Sequence, residues 1–98
     1  MTALNNEQEE LLEFVTNRKT MAMIVSLRQN ATGLYKKELA RKADVTYSHS
    51  AKVIDQMVDH NLALTSKDGR KVVVSLTRRG EKIADIVQTL INDVKKVA

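Results

Sequence analysis

The sequence contains no cysteine, no proline and no tryptophan, and its 98 residues include only three glycines, one phenylalanine and two tyrosines. Without cysteine there is no disulfide framework, no thiolate zinc site and no cysteine nucleophile. The lack of proline suits a compact, mostly helical domain without long linkers. No apolar run approaches the roughly 18 residues that a membrane span needs. The opening Met1-Thr-Ala-Leu-Asn-Asn-Glu is polar and acidic, the opposite of a signal peptide, so a cytoplasmic location is expected. Three glycines, each assignable to a turn or a helix start, leave no loop to cradle phosphates, and no nucleophile, base and orienter fall together. An enzyme is not expected. His49 and His60 are eleven positions apart, about 16 Å along a single helix, so they do not make a metal site. Asp55 and Asp59, four apart, read as ordinary helix-face chemistry. No metal or cofactor is expected.

What the chain does have is 43 % hydrophobic residues, almost all aliphatic, and 29 % charged residues, a balance that folds. The net charge of +4 conceals an asymmetry. Residues 1–18 set Glu7, Glu9, Glu10 and Glu13 against Arg18, a net of −3, whereas residues 19–98 carry fifteen Lys/Arg against eight Asp/Glu, a net of +7. A basic body behind a small acidic helix suits a polyanionic partner. An anionic membrane would require one helix with a basic face and a bulky apolar face, and no segment supplies both.

Hydrophobic spacing predicts helices over residues 5–16, capped by Asn5 or Asn6, and over 18–29, with Met21, Ile24, Val25 and Leu27 on a broad apolar face. Thr32-Gly-Leu-Tyr-Lys-Lys-Glu opens a third, with Leu34, Leu39 and Ala40 inward and Lys36, Lys37, Arg41 and Lys42 outside. Thr46 caps a fourth, Tyr47 to about His60, whose expected buried stripe is Ala51, Ile54, Met57 and Val58. Ser50 falls toward the inside, and Asn61 stands where a left-handed residue ends the helix. The period then changes: Leu62-Ala-Leu-Thr-Ser and Arg70-Lys-Val-Val-Val-Ser-Leu are extended, and Lys67-Asp-Gly between them signals a hairpin. Thr77 caps a last helix from Arg78 to about Val97.

In that helix Ile83, Val87, Leu90, Val94 and Val97 are spaced four, three, four, three, a short heptad seam flanked by Ile86 and Ile91. A domain this small has little core to cover twenty residues of apolar helix. Dimerisation through it, with Leu11 and the 5–16 helix assisting, is the expectation; the alternative is that the helix folds back on its own domain.

Helix, helix, helix, capped helix, strand, turn, strand, helix is the order of a winged helix-turn-helix: mostly α with a small β-hairpin wing, dimerising through the C-terminal helix. The chain reads as one domain over 1–98, with N-terminal helices over 1–30, the helix-turn-helix over 33–60, the wing over 62–76 and the dimerisation helix over 78–97. Gly33-Leu-Tyr-Lys-Lys-Glu-Leu-Ala-Arg-Lys-Ala-Asp-Val and Thr46-Tyr-Ser-His-Ser-Ala-Lys-Val-Ile resemble the helix-turn-helix of small winged-helix transcriptional regulators. Asp68-Gly-Arg-Lys-Val-Val-Val-Ser-Leu-Thr-Arg-Arg-Gly80 resembles the wing of the MarR family, with Asp68, Arg70, Leu76, Thr77 and Gly80 at the pattern positions. Small archaeal and archaeal-virus winged-helix regulators are an equally good comparison. The chain is shorter than most MarR proteins, whose extra helical material encloses a ligand pocket, so a small-molecule effector is not expected.

Together these readings imply a homodimeric, sequence-specific binder of double-stranded DNA, with repression as its expected output. Tyr47, Ser48, His49, Lys52 and Gln56 would meet the major groove from the second helix of the pair. Arg70 at the wing turn suits a narrow, electronegative minor groove. Asp68 is expected to orient Arg70 or cap the turn. Lys67 and Lys71 would neighbour phosphates, and Lys36, Lys37 and Arg41 outline the footprint. Thr32 and the amides after it are a further phosphate candidate at a helix start. The alternatives are a winged-helix protein-interaction module, which would expose apolar residues on the recognition face, and a non-specific architectural DNA-binding protein.

Overall fold

A computed structural model of the chain describes residues 3–98; Met1 and Thr2, part of the polar opening, lie outside them. The elements are α1 (Asn6–Val15), α2 (Arg18–Arg28), β1 (Leu34–Tyr35), α3 (Lys36–Ala43), α4 (Tyr47–Asp59), β2 (Ala63–Asp68), β3 (Lys71–Leu76) and α5 (Arg78–Val97). Local chemistry sets most of these boundaries. Asn5 and Gln8 cap α1 reciprocally: Asn5 Oδ1 accepts from the Gln8 amide at 2.8 Å, and Gln8 Oε1 accepts from the Asn5 amide at 3.0 Å. Asn17 breaks the chain between α1 and α2 by accepting from the amides of Lys19 and Thr20. Asn61 takes a left-handed conformation, φ 63°, and ends α4 with paired bonds from its own amide to Val58 and from the Leu62 amide to Met57. Asp44, φ 56°, ends α3 in the same manner, and Thr46 caps α4 two residues later.

The sheet is antiparallel, in the order β1-β3-β2. Its inner face meets the helices over a core of Met23, Ile24, Leu27, Leu39, Val53, Ile54, Met57, Leu62, Val74 and Ala84. Gly80, in the first turn of α5, lies so close to the junction between α4 and β2 that a Cβ there would collide with the Leu62 carbonyl oxygen. Thr77 completes the joint: its hydroxyl donates to the Asn61 carbonyl at 2.7 Å, its oxygen accepts from the Gly80 amide at 2.9 Å, and its own amide donates to the Leu62 carbonyl at 3.0 Å. The Leu-Thr-x-x-Gly pattern is thus a clasp between α4, the wing and α5.

Four expectations need correction. Leu34 and Tyr35 are not helical; they form β1, opposite Val74 and Val73, and α3 starts only at Lys36. Thr32 therefore precedes a strand, and there is no helix start at that position to hold a phosphate. The buried stripe of α4 is Ser50, Val53, Ile54 and Met57, rotated from the expected one; Ala51 is half-buried and Val58 is 40 % exposed. Ser50 lies inside, as expected, with its hydroxyl satisfied on the Tyr47 carbonyl at 2.7 Å. The hairpin is present, but Asp68 belongs to β2 opposite Lys71, and the two-residue turn is Gly69-Arg70. Gly69 has φ 64°, which is what a type II′ turn asks of its first central residue.

Candidate nucleic-acid interface

Two N-termini and a hairpin tip converge on one side of the molecule. Tyr35, Lys36, Lys37 and Glu38 from β1 and α3, Tyr47 from the start of α4, and Arg70, Lys71 and Val72 from the wing line a groove of about 330 Å³. Five residues proposed from sequence as DNA contacts therefore share one depression: Lys36, Lys37, Tyr47, Arg70 and Lys71. Four are cations, Glu38 is the only acid among the lining residues, and the groove is open to solvent. Arg70 is exposed at the turn.

The helical geometry of α4 sorts the remaining candidates. With Ser50, Val53, Ile54 and Met57 inward, Ser48, Lys52, Asp55 and Asp59 form the outermost line, and all four are exposed. Tyr47 lies on the flank that faces the wing. His49 and Gln56 lie on the other flank, where they line a groove of about 360 Å³ with Glu10, Glu13, Phe14 and His60. His49 is half-buried there, beside acidic α1 and away from the wing groove. Phe14 and His60 stack with centroids 5.1 Å apart and hold α1 against the end of α4. Asp55 and Asp59 put negative charge on the C-terminal half of the outer line. The half of α4 compatible with a polyanion is thus its N-terminal half, Tyr47, Ser48 and Lys52. Arg41 and Lys67 are exposed and lie outside the lining of the wing groove.

Asp68 does not pair with Arg70. It accepts from the Tyr35 hydroxyl at 2.6 Å, and the Lys71 ammonium sits 4.7 Å from the centre of the Tyr35 ring. The bond to the Asp68 carboxylate holds the Tyr35 phenol above its ordinary value, with the negative charge of Asp68 adding to the effect. Sequence reasoning passed over Tyr35, because a two-residue strand gives no periodic signal and the residue fell inside an expected helix.

On α5 the expected seam divides. Val87 is buried and Ile83 packs on the chain's own core, as does Leu11 of α1. Leu90 and Val94 are half-exposed, Ile86 is 66 % exposed and Val97 86 % exposed. Arg28 ties α5 to α2 through Asp85 at 2.8 Å and Glu81 at 3.2 Å. Among the described residues, no helix is long and apolar enough to cross a membrane, and no group of three or more His, Asp or Glu could hold a metal ion.

No family model and no curated protein sequence matches the chain. Solved structures match its fold well. AF1382 from Archaeoglobus fulgidus superposes with a TM-score of 0.76 at 17 % identity, covering 86 % of this chain and 96 % of that one. A MarR-family transcriptional regulator from Silicibacter pomeroyi gives 0.71 at 28 % identity, over 88 % of this chain and 60 % of that one. MepR from Staphylococcus aureus, a transcription regulator of the multidrug efflux pump MepA, gives 0.71 in its complex with DNA, at 17 % identity, over 93 % of this chain and 77 % of that one. The chain has the winged helix-turn-helix fold of MarR-type regulators, as its wing residues suggested.

Proposed function

We propose that this chain, folded as a MarR-type winged helix, is a homodimeric transcriptional regulator that binds double-stranded DNA sequence-specifically and represses by occupying an inverted-repeat operator. The observation that carries the reading is the convergence of Lys36, Lys37, Tyr47, Arg70 and Lys71 on one groove beside the exposed N-terminal half of α4. Tyr47, Ser48 and Lys52 enter the major groove, Arg70 lies in the adjacent minor groove, and the lysines meet phosphates. The MepR–DNA complex supports the reading by likeness of fold. The exposed face of Ile86, Leu90, Val94 and Val97 pairs with a second copy. Two recognition helices then address half-sites about one helical turn, ~34–36 Å, apart.

The test is fluorescence anisotropy with a labelled duplex from the region upstream of the chain's own coding sequence and a scrambled duplex of equal length, each at two salt concentrations. The expected result is affinity at least ~100-fold higher for the upstream duplex, within the specific-to-non-specific range of such proteins, and weaker binding by Arg70→Ala. Equal, steeply salt-dependent binding to both duplexes would replace this reading with a non-specific architectural one. Absence of binding to either would point to a protein partner for the α3–α4 face.

A further inference from the structure

The wing tip extends past its support. β1 contributes only Leu34 and Tyr35, opposite Val74 and Val73, so beyond Val73 the wing is a two-stranded ribbon of Lys67-Asp68 against Val72-Lys71. A two-stranded ribbon in water is marginal by itself. Its tip carries Arg70, the residue with the most to lose from disorder, because an ordered Arg meets a narrow groove without a further entropic cost at the moment of binding.

One side chain bridges the gap. Tyr35, Asp68 and Lys71 lie on the same outer face of the sheet, and Asp68 and Lys71 are directly opposed immediately below the Gly69-Arg70 turn. The Tyr35 hydroxyl donates to Asp68 Oδ2 at 2.6 Å, a short charge-assisted bond, and its ring lies under the Lys71 ammonium at 4.7 Å. A single phenol therefore grips both legs of the turn. The other end of the same residue is fixed: the Tyr35 amide donates to Glu38 Oε1 at 3.1 Å in the first turn of α3, and its backbone pairs with Val73. Asp68 has a further reason to be engaged in this way. A carboxylate next to Arg70 and Lys71 repels phosphate, and a neutral hydroxyl satisfies it without consuming a cation that DNA needs.

We propose that Tyr35 is a positioning residue that latches the wing to the helix-turn-helix through Asp68 and Lys71, so that Arg70 is held in its DNA-binding place before DNA arrives. The DNA half of this inference rests on the function proposed above; the latch itself does not.

The experiment combines amide hydrogen exchange at Asp68 and Lys71, the paired residues immediately below the turn, in the free protein with anisotropy on the upstream duplex. The variants are Tyr35→Phe, Asp68→Ala, Asp68→Asn, Arg70→Ala and Tyr35→Phe/Arg70→Ala. Tyr35→Phe keeps the ring and the fold but loses the hydroxyl. Exchange at the tip should accelerate several-fold in Tyr35→Phe and Asp68→Ala and stay near wild type in Asp68→Asn, which retains an acceptor. Tyr35→Phe should weaken DNA binding several-fold, and adding it to Arg70→Ala should weaken binding no further. Unchanged tip exchange in Tyr35→Phe overturns the latch, whatever DNA does. Faster exchange with full additivity of the two substitutions overturns the claim that Tyr35 acts through Arg70. If wild type binds no duplex, the regulator reading and the DNA half fall together, and exchange alone decides the latch.

Discussion

At the scale of single residues, the structure assigns physical work to side chains that the sequence marked only by pattern. Gly80 is the plainest case. Its hydrogen is all that fits against the Leu62 carbonyl, and that carbonyl is backbone, which cannot swing aside as the nearby Leu76 side chain can. Gly80→Ala should therefore cost about 2 kcal/mol or more despite the better helix propensity of alanine, the ordinary scale of overpacking. In a domain of this size each kcal/mol lowers the melting temperature by about 4–8 °C, so differential scanning calorimetry decides the matter; an unchanged midpoint would mean that α5 shifts away at no cost. Tyr35 gives a prediction in pH. The bond to Asp68 needs the phenolic proton, and the folded-state value of this phenol lies above the unfolded value of about 10. The stability it contributes is complete below the unfolded value and is lost as pH rises through the higher folded one. The difference in tyrosinate absorbance between wild type and Tyr35→Phe should reveal one phenol titrating later than an ordinary tyrosine. A midpoint at or below the ordinary value would show that the bond is not made. The latch carries no linear signature, because it joins residues 33 positions apart; the inward place of Ser50 was legible from the helical period, whereas the bond of its hydroxyl to the Tyr47 carbonyl one turn back was not.

At the scale of elements, what was legible is what neighbouring residues decide among themselves. Caps at Asn5, Thr46 and Thr77 and the left-handed stop at Asn61 are local contests of a few atoms, and each stands where the sequence puts it; the hairpin forms too, with its turn one residue further on, at Gly69-Arg70. What was hidden depends on partners distant in the chain. β1 exists because β3 offers it an edge, and two residues cannot announce themselves by alternation. The stripe of α4 was rotated because Val58 reads as core by hydropathy, whereas the core it would join is already filled by Val53, Ile54 and Met57. Of the candidate interface, the lysines and Arg70 were legible as charge beside a hairpin. His49 was not legible as a residue facing α1, since its groove is built by Glu10, Glu13 and Phe14 some forty positions away. The stop at Asn61 supports a prediction that belongs to this scale. A left-handed residue bearing a Cβ is strained, less so for Asn than for most. Asn61→Ala should lower stability by about 1 kcal/mol, and Asn61→Gly should equal or exceed wild type. Equal denaturation midpoints for the two variants would mean that the α4–β2 junction relaxes out of the left-handed region.

At the scale of the whole molecule, the distribution of mass and of exposed apolar side chains supports the second copy proposed above. A compact chain of 98 residues has a radius of gyration near ~12.6 Å by the usual scaling, and this one has 13.6 Å with a long axis of 46 Å. Within it α5 is twenty residues, about 30 Å of helix, packed on α2 and β3 through its buried Gly80, Ala84 and Val87 while its second half exposes Leu90, Val94 and Val97. In the dimer proposed above, burying those side chains against themselves across a two-fold axis would remove apolar surface that the monomer leaves in water, and would place two wing grooves on one assembly. Leu90→Glu is the discriminating change, because Leu90 is half-exposed and its replacement leaves the monomer's own core intact; Val87→Glu would only unfold the chain. Sedimentation velocity should show wild type as a dimer and Leu90→Glu as a folded monomer with an unaltered far-ultraviolet spectrum. Loss of the dimer should leave binding to an isolated half-site unchanged and bring the affinity for a full inverted repeat down to that level, because the second half-site no longer gains from linkage to the first. If Leu90→Glu remains a dimer, α5 is not the seam. If wild type is a monomer at assay concentration yet still prefers a full repeat, then the DNA itself brings the copies together, and the exposed face of α5 closes only on the operator.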